Sequence, residues 1–284
     1  MEIVNRVSRM ASLSAKFLAG DVNIGFIPTM GAIHPAHISL IQTARRMSDL
    51  VVVSIFVDRL QFLSEDEYRS YPRDIPRDVD LLREVEPDYV FTPSEEEMYR
   101  EGFSTYVVVE NFGMNLPGLP RDSYFRGMPT SVLKLTSIVR PRFIFFGQKD
   151  GLQGCVLRKM VRDLNLNTEV VVTPVPREAS GLAFAARNYF LSDSEKGAAS
   201  VIHRSLEAAG KLVAEGETQS KKILKQIRAV IDTEQLASLE YAIVADVDAL
   251  EPLSRIETSA LIGVGARIGT TILNDSLFVQ APPR

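Results

Sequence analysis

This sequence is sparing with the residues that staple or flag a protein. A single cysteine, Cys155, in 284 residues excludes an intramolecular disulfide framework and a cysteine-built zinc site. It fits a reducing compartment, so a cytoplasmic chain is expected. Tryptophan is absent and histidine occurs three times. Long apolar runs are lacking too: the opening stretch MEIVNRVSRMASLSAKFLAGDVNIGF interleaves charged residues with short apolar ones, so neither a signal peptide nor a membrane span is expected. The net charge of -4 lacks the basic excess that a nucleic-acid partner requires. What remains is the balance of a globular protein, 45% hydrophobic and 24% charged. The length approaches the roughly 250 to 300 residues at which one core stops growing, enough for one large domain or two ordinary ones.

β-rich runs alternate with helical patterns over the first 175 residues, the mark of a parallel sheet covered by helices. Strands are predicted at 23–28, 50–57, 88–93, 105–109, 143–147 and 169–175. Several are apolar on both faces, as buried parallel strands are. HISLIQTARRM and LQGCVLRKMVRDL carry apolar residues at helical spacing. After about residue 176 the texture changes to two amphipathic helices, from 193 and from 220, followed by strand patterns at 239–247 and 259–269. We expect an α/β domain over 1–176 and a smaller C-terminal α+β domain over 177–284.

Two of the three histidines stand in TMGAIHPAHISL, residues 29 to 40. The strand before them ends at Pro28, and Pro35 marks a helix start. A small-residue loop with Gly31 between strand and helix leaves backbone N–H groups and a positive helix end where an anion can sit. His34 and His37, three residues apart, would share one helix face and donate to phosphate oxygens, stabilising charge that develops during phosphoryl or nucleotidyl chemistry. Metal binding by the pair fits the spacing but lacks obvious further ligands, and a purely structural pair is the other alternative. His203, alone in a later helix, reads as structural or surface.

GFIPTMGAIHPAH, VVVSIFVDRLQF, YPRDIPRDVDLL, YFRGMPTSVLKL, FFGQKD and PREASGLAFAARNYFLS occur in this order. Together they resemble the pantoate–β-alanine ligase family of the HIGH-motif nucleotidyltransferase superfamily, closely over 23 to 192 and weakly beyond. The resemblance implies a Rossmann-like sheet domain and a C-terminal lid domain. It also implies ATP-dependent joining of pantoate and β-alanine through a pantoyl adenylate, with Mg2+ accompanying the triphosphate, and a homodimer. By position, Met30, Gly31, His34 and His37 resemble the ATP loop, with His37, His34 and Lys149 in catalysis. Gly147, Lys149 and Asp150 look like a second nucleotide segment, in which Asp150 binds ribose or helps place the metal; Pro176, Phe184, Ala185, Ala186 and Arg187 look like a third. Gln61 and Gln153 resemble the glutamines that hold pantoate. No metal ligands are assigned.

Several positions depart from the family pattern. HPAH replaces HEGH, so Ala36 stands for a glycine; Asp58 and Arg59 replace the Asn-Pro of FVNP; Tyr124 replaces a histidine; AARN replaces SSRN, so Ala185 and Ala186 lack two hydroxyls. Asp58 is expected to repel an anionic substrate unless Arg59 or a metal offsets it, and each hydroxyl lost from a charged partner costs about 1.5 to 3 kcal/mol. A ligase of reduced efficiency is expected; a paralogue that binds nucleotide or an acidic metabolite without turnover, or that adenylates a different acid, is the alternative.

Overall fold

The computed structural model describes residues 1–116, 118 and 123–282, without the side chains of Ser123 and Tyr124. The chain forms two compact units. Met1–Glu110, Pro120–Phe146 and Val156–Thr173 make the first; Asn111–Leu119, Gly147–Cys155 and Pro174–Arg284 make the second.

In chain order the elements up to the last strand of the first unit are β1 (Glu2–Val4), α1 (Val7–Ala19), β2 (Ile24–Thr29), α2 (Pro35–Met47), β3 (Leu50–Ile55), α3 (Glu65–Ser70), α4 (Ile75–Arg83), β4 (Tyr89–Phe91), α5 (Glu95–Met98), α6 (Met128–Val139), β5 (Phe143–Gly147), α7 (Gly151–Asp163) and β6 (Glu169–Thr173). The sheet order is β1-β4-β3-β2-β5-β6, and the β1–β4, β4–β3, β3–β2 and β2–β5 pairings are parallel. Every residue of β3 is buried because both faces are covered. Phe26 and Val52 pack with Met10 of α1 and Leu135 of α6 on one side; Ile27 and Val53 pack with Ile41 of α2 and Leu82 of α4 on the other. The apolar runs in the sequence are the direct result. This is the Rossmann-like architecture. Strand order reverses between β2 and β5, so the carboxyl end of β2 is a topological switch point, the place where open α/β sheets bind ligands.

The strand expected at 105–109 does not join a sheet. Its backbone is satisfied otherwise: Val107 N–H donates to Thr130 Oγ1 at 3.0 Å, the Thr130 hydroxyl lies 3.2 Å from Val107 O, and Val109 N–H donates to the Phe125 carbonyl at 2.9 Å. A threonine of α6 and a neighbouring carbonyl thus substitute for a partner strand.

The second unit contains α8 (Asp193–Ala214), α9 (Ser220–Ile231) and an antiparallel sheet of β7 (Ala237–Asp246), β8 (Ser259–Ile268) and β9 (Thr271–Gln280) in that order. Ser192 and Glu195 form a reciprocal cap at the start of α8. Ile223, Ile227 and Ile231, one turn apart on α9, meet Ile202 and Leu206 of α8 and Ile262 and Val264 of β8 in one core. Strand β9 is not among the expected strands; Asn274, Asp275 and Ser276 interrupt its alternation midway.

Candidate active site

In the first unit the loop after β2 is organised by a carboxylate from α4. The Thr29 hydroxyl donates to Ser54 O at 2.6 Å and accepts from Gly31 N–H at 3.1 Å. Gly31 has φ +81, and a Cβ there would lie 2.8 Å from Asp78 Oδ2, so both conformation and space require glycine. Ala32 and Ile33 N–H donate to Asp78 Oδ2 and Oδ1 at 2.9 and 2.8 Å. Asp78 is buried; burial raises its pKa although the two amides pull it down. The loop amides expected to face an anion therefore serve an internal one.

His34 is the N-cap of α2, with extended backbone (φ -146, ψ 170), and Pro35 is the first helical residue. His34 N–H donates to His37 Nδ1 at 3.4 Å, and the rings stack with centroids 4.0 Å apart. The pair meets through this cap-to-third-residue geometry rather than by sharing a helix face. Burial, and secondarily His34, hold the His37 pKa well below the ordinary imidazole value. His37 is thus neutral at pH 7, and because Nδ1 accepts, its proton resides on Nε2, the nitrogen able to donate outward. Met30, partly buried, precedes Gly31 in the same loop. Ala36 is buried on the apolar face of α2 with Leu40, Ile41 and Ala44.

Gln61 closes a short 3-10 turn, Arg59–Gln61, and its Nε2 donates to Ser131 Oγ at 2.8 Å. Asp58 caps that turn and is fully buried. It accepts from Leu60 N–H at 2.9 Å and from the Tyr99 hydroxyl at 2.7 Å. Burial raises the Asp58 pKa, opposed by hydrogen bonds from Tyr99, Leu60 and Ser131; burial and the Asp58 charge push the Tyr99 hydroxyl up, keeping it a donor. Arg59 turns instead to Glu65, 2.9 Å away on the surface. Arg59 therefore does not offset Asp58; two hydroxyls and an amide contact the carboxylate instead. Tyr99 and Ser131 are not among the residues the sequence singles out; Ser131 lies in the quoted block YFRGMPTSVLKL, where a hydroxyl amid apolar residues is the available signal. The Tyr124 side chain lies outside the described residues.

The second unit holds the other predicted residues. Gly147 ends β5, Gln148–Asp150 form a 3-10 turn, and Gly151 opens α7. Lys149 Nζ lies 3.0 Å from Asp150 Oδ1, with 14% of its side chain exposed, and Asn274 Nδ2 donates to the same oxygen at 3.0 Å. Burial would raise the Asp150 pKa, but Lys149, Asn274 and the charge of Arg187 outweigh it and hold the carboxyl low. Gln153 is partly buried on the first turn of α7. Phe184 N–H reaches Pro176 O at 3.4 Å, and Arg177 bridges Ala183, closing a hairpin. Ala185 caps the 3-10 turn Ala186–Phe190, which carries the exposed Arg187. His203 is half-buried on α8 and 3.4 Å from Glu207; burial and Arg177 lower its pKa. So Lys149, Asp150 and Arg187 are brought into one electrostatic group here, His34 and His37 into one in the first unit, and the two glutamines fall in different units.

Among the described residues no group of three or more His, Cys, Asp or Glu converges as a metal site. A divalent ion held by one carboxylate and by phosphates remains compatible with Asp150, a hard oxygen donor kept ionised by its neighbours.

The model of the family described as pantoate–beta-alanine ligase matches residues 2–278. The chain belongs to that family. It is 39% identical over 279 residues to the pantothenate synthetase of Thermosipho africanus, covering 98% of this chain and 100% of that one. It is 43% identical over 258 residues to that of Roseiflexus castenholzii, covering 91% and 93%. The crystal structure of pantothenate synthetase from Thermus thermophilus superposes with a TM-score of 0.89 at 36% identity, covering 98% of this chain and 99% of that one. The pantoate–β-alanine ligase of Francisella tularensis, complexed with β,γ-ATP and β-alanine, gives 0.77 at 28%, covering 98% and 97%. Membership of the ligase family extends into β9, beyond the quoted blocks.

Proposed function

We propose that this ligase-family chain condenses pantoate with β-alanine in an ATP-dependent reaction, forming pantothenate, AMP and pyrophosphate. In the first step a pantoate carboxylate oxygen attacks the α-phosphorus, the bond from that phosphorus to the α,β-bridging oxygen breaks, and pyrophosphate leaves with the electron pair. In the second, the β-alanine amine attacks the acyl carbon, AMP departs, and the amine's proton is lost. Both steps ask the protein to position reactants and stabilise phosphate charge, without a covalent enzyme intermediate.

The observation that carries this reading is the His34 amide donating to His37 Nδ1 in a buried setting that holds the His37 pKa well below the ordinary imidazole value, which leaves the proton for Nε2. Such a nitrogen donates to a phosphoryl oxygen as charge builds without repelling a cation nearby. His34 stacks on it and holds the ring. Lys149 and Arg187 supply positive charge for the triphosphate, with Gly31, Met30, Gly147, Pro176, Phe184, Ala185 and Ala186 lining the nucleotide. Gln61, held by Ser131, and Gln153 offer amide donors and acceptors suited to a hydroxy acid. Mg2+ would supply charge neutralisation on the phosphates, with Asp150 as the carboxylate to hold it. A cytoplasmic homodimer is the form we propose, on the strength of the family.

The experiment is pyrophosphate release from ATP and magnesium by pure protein. Release with pantoate alone, followed by AMP and pantothenate only when β-alanine is added, is the expected result. Calorimetric ATP binding with no pyrophosphate under any of these conditions would replace the ligase with a nucleotide-binding relative.

A further inference from the structure

Strand β9 breaks its own pattern. Leu273 and Leu277 lie on the core side of the small sheet, and by the two-residue period Asp275 lies on that same side. A carboxylate at a core position is costly unless it is paired. It is paired with Arg177, at 2.5 Å from Nη1 and 3.2 Å from Nη2, and Arg177 also donates to Gly181 O at 3.2 Å. Arg177 bridges Ala183. The Ala183 carbonyl in turn accepts from Asn188 Nδ2 at 2.9 Å, in the turn that carries Arg187.

The neighbours of Asp275 point to the opposite face, with Leu261 and Phe278. Asn274 reaches Asp150 Oδ1, the oxygen that also holds Lys149. The Ser276 hydroxyl donates to Gln148 O at 2.5 Å and accepts from Gly151 N–H at 3.2 Å. Gly151 can come this close because it lacks a Cβ, which would lie 2.5 Å from Ser276 Oγ. Opposite Asn274 and Ser276 on β8 stand Gly265 and Gly263, which present no side chain of their own on that face.

We propose that Asn274, Asp275 and Ser276 are positioning residues: three consecutive side chains of β9 that hold the Gln148–Gly151 turn from one face and the Arg177–Arg187 segment from the other. This rests on the reading above that Lys149, Asp150 and Arg187 serve the nucleotide. The placement explains why an otherwise apolar strand carries three polar residues in a row. A core strand gives up its pattern where the chemistry needs a fixed point.

Hydrogen exchange and kinetics test it on the full chain. Ser276→Ala speeds amide exchange at Gly151 about tenfold and leaves the 177–183 hairpin unchanged; Asp275→Asn does the reverse, at the Glu178 and Gly181 amides. Asn274→Ala lowers kcat/KM for ATP about tenfold or more. Asn274→Asp, nearly the same shape, is worse than alanine because a carboxylate replaces the amide that donates to Asp150. A packing role alone would favour the isosteric variant. Glu240→Gln, which breaks the surface pair with Arg267 (2.6 Å) in the same sheet, is the control and leaves kcat/KM for ATP at wild-type level. Uniform exchange changes in both segments, or Asn274→Asp equal to or better than Asn274→Ala, would overturn the proposal. The exchange readout does not need turnover, so an inert wild-type chain would fail the ligase reading and leave this test intact.

Discussion

The backbone N–H of His34 points at Nδ1 of His37, 3.4 Å away, and so decides which nitrogen of His37 carries its proton. Protonating Nδ1 would set one N–H against another, and burial disfavours the cation further. His37→Ala should slow pyrophosphate release by about 10² to 10³-fold, the loss typical of one oxyanion donor, while ATP affinity by calorimetry changes much less. Equal losses in both would reduce His37 to a binding contact. The sign of the pH effect follows from the lowered pKa. Below the ordinary imidazole value of 6.5 the unfolded chain takes up a proton that the folded one refuses, so this group's stability contribution is intact above that pH and declines below it. Replacing His37 with Ala should flatten that part of the Tm profile between about pH 7 and 5.

Asp58 behaves differently, because burial raises its pKa. The folded chain holds that proton more tightly, so the ionised carboxylate costs stability at neutral pH and the cost disappears on acidification. Asp58→Asn keeps an acceptor for Leu60 N–H, and the Tyr99 and Ser131 hydroxyls can accept as well as donate. Its Tm at pH 7 should match or exceed wild type, with the gap closing toward about pH 4. The KM for pantoate should move by less than about threefold, since a fully buried and bonded carboxylate faces no substrate; a tenfold fall would show that its charge reaches the acid. Asp58→Ala removes cap and buried acceptor together and should cost about 2 kcal/mol.

Much of this is readable in the chain, for identifiable reasons. The largely apolar runs of β2 and β3 announce strands buried on both faces, and the proline-flanked histidines announce a helix start at the end of a strand. The stretch 105–109 misleads because β-branched residues describe an extended backbone without naming its partner, which here is a threonine hydroxyl. The role of Asp78 is hidden: its motif can be quoted, but only the fold brings residues 45 positions apart into contact with the loop amides. For Asp58, adjacency in sequence favours Arg59 as the partner, whereas the chain folds Tyr99 and Ser131 against it. β9 stays concealed because its polar triplet breaks the alternation by which strands are recognised.

Ala185 and Ala186 stand where the resemblance leads one to expect two serines, and their places in the turn differ. Ala185 is the N-cap, with no side-chain acceptor for the turn's amides. A serine there would be drawn to capping, so Ala185→Ser should raise Tm, by about 0.5 to 1 kcal/mol of stability, with little change in rate. Ala186 is the first residue of the turn, where a hydroxyl is not claimed by the cap. Ala186→Ser should raise kcat/KM for ATP by about tenfold, the low end for a hydrogen bond to a charged group. If the stability gain and the rate gain both fell on Ala185→Ser, the assignment of cap and contact would be reversed.

Asp78 sets the sharpest test of the loop. Its two oxygens accept from two successive amides, at 2.9 and 2.8 Å, in a buried position where no solvent can replace them. Asn at 78 offers one oxygen and one NH2, so one loop amide would confront another donor. That mismatch should cost about 1 to 3 kcal/mol and loosen Ala32, Ile33 and the His34 cap that follows them. Asp78→Asn should therefore lower Tm, speed exchange at the Ala32 and Ile33 amides, and slow adenylate formation more than it weakens ATP binding, because the ring of His37 is aimed through His34. Gly31→Ala should resemble it, since a Cβ at φ +81 would press on the same carboxylate. A fall in Tm with unchanged pyrophosphate release would show that the loop is structural only and that His37 keeps its aim without it.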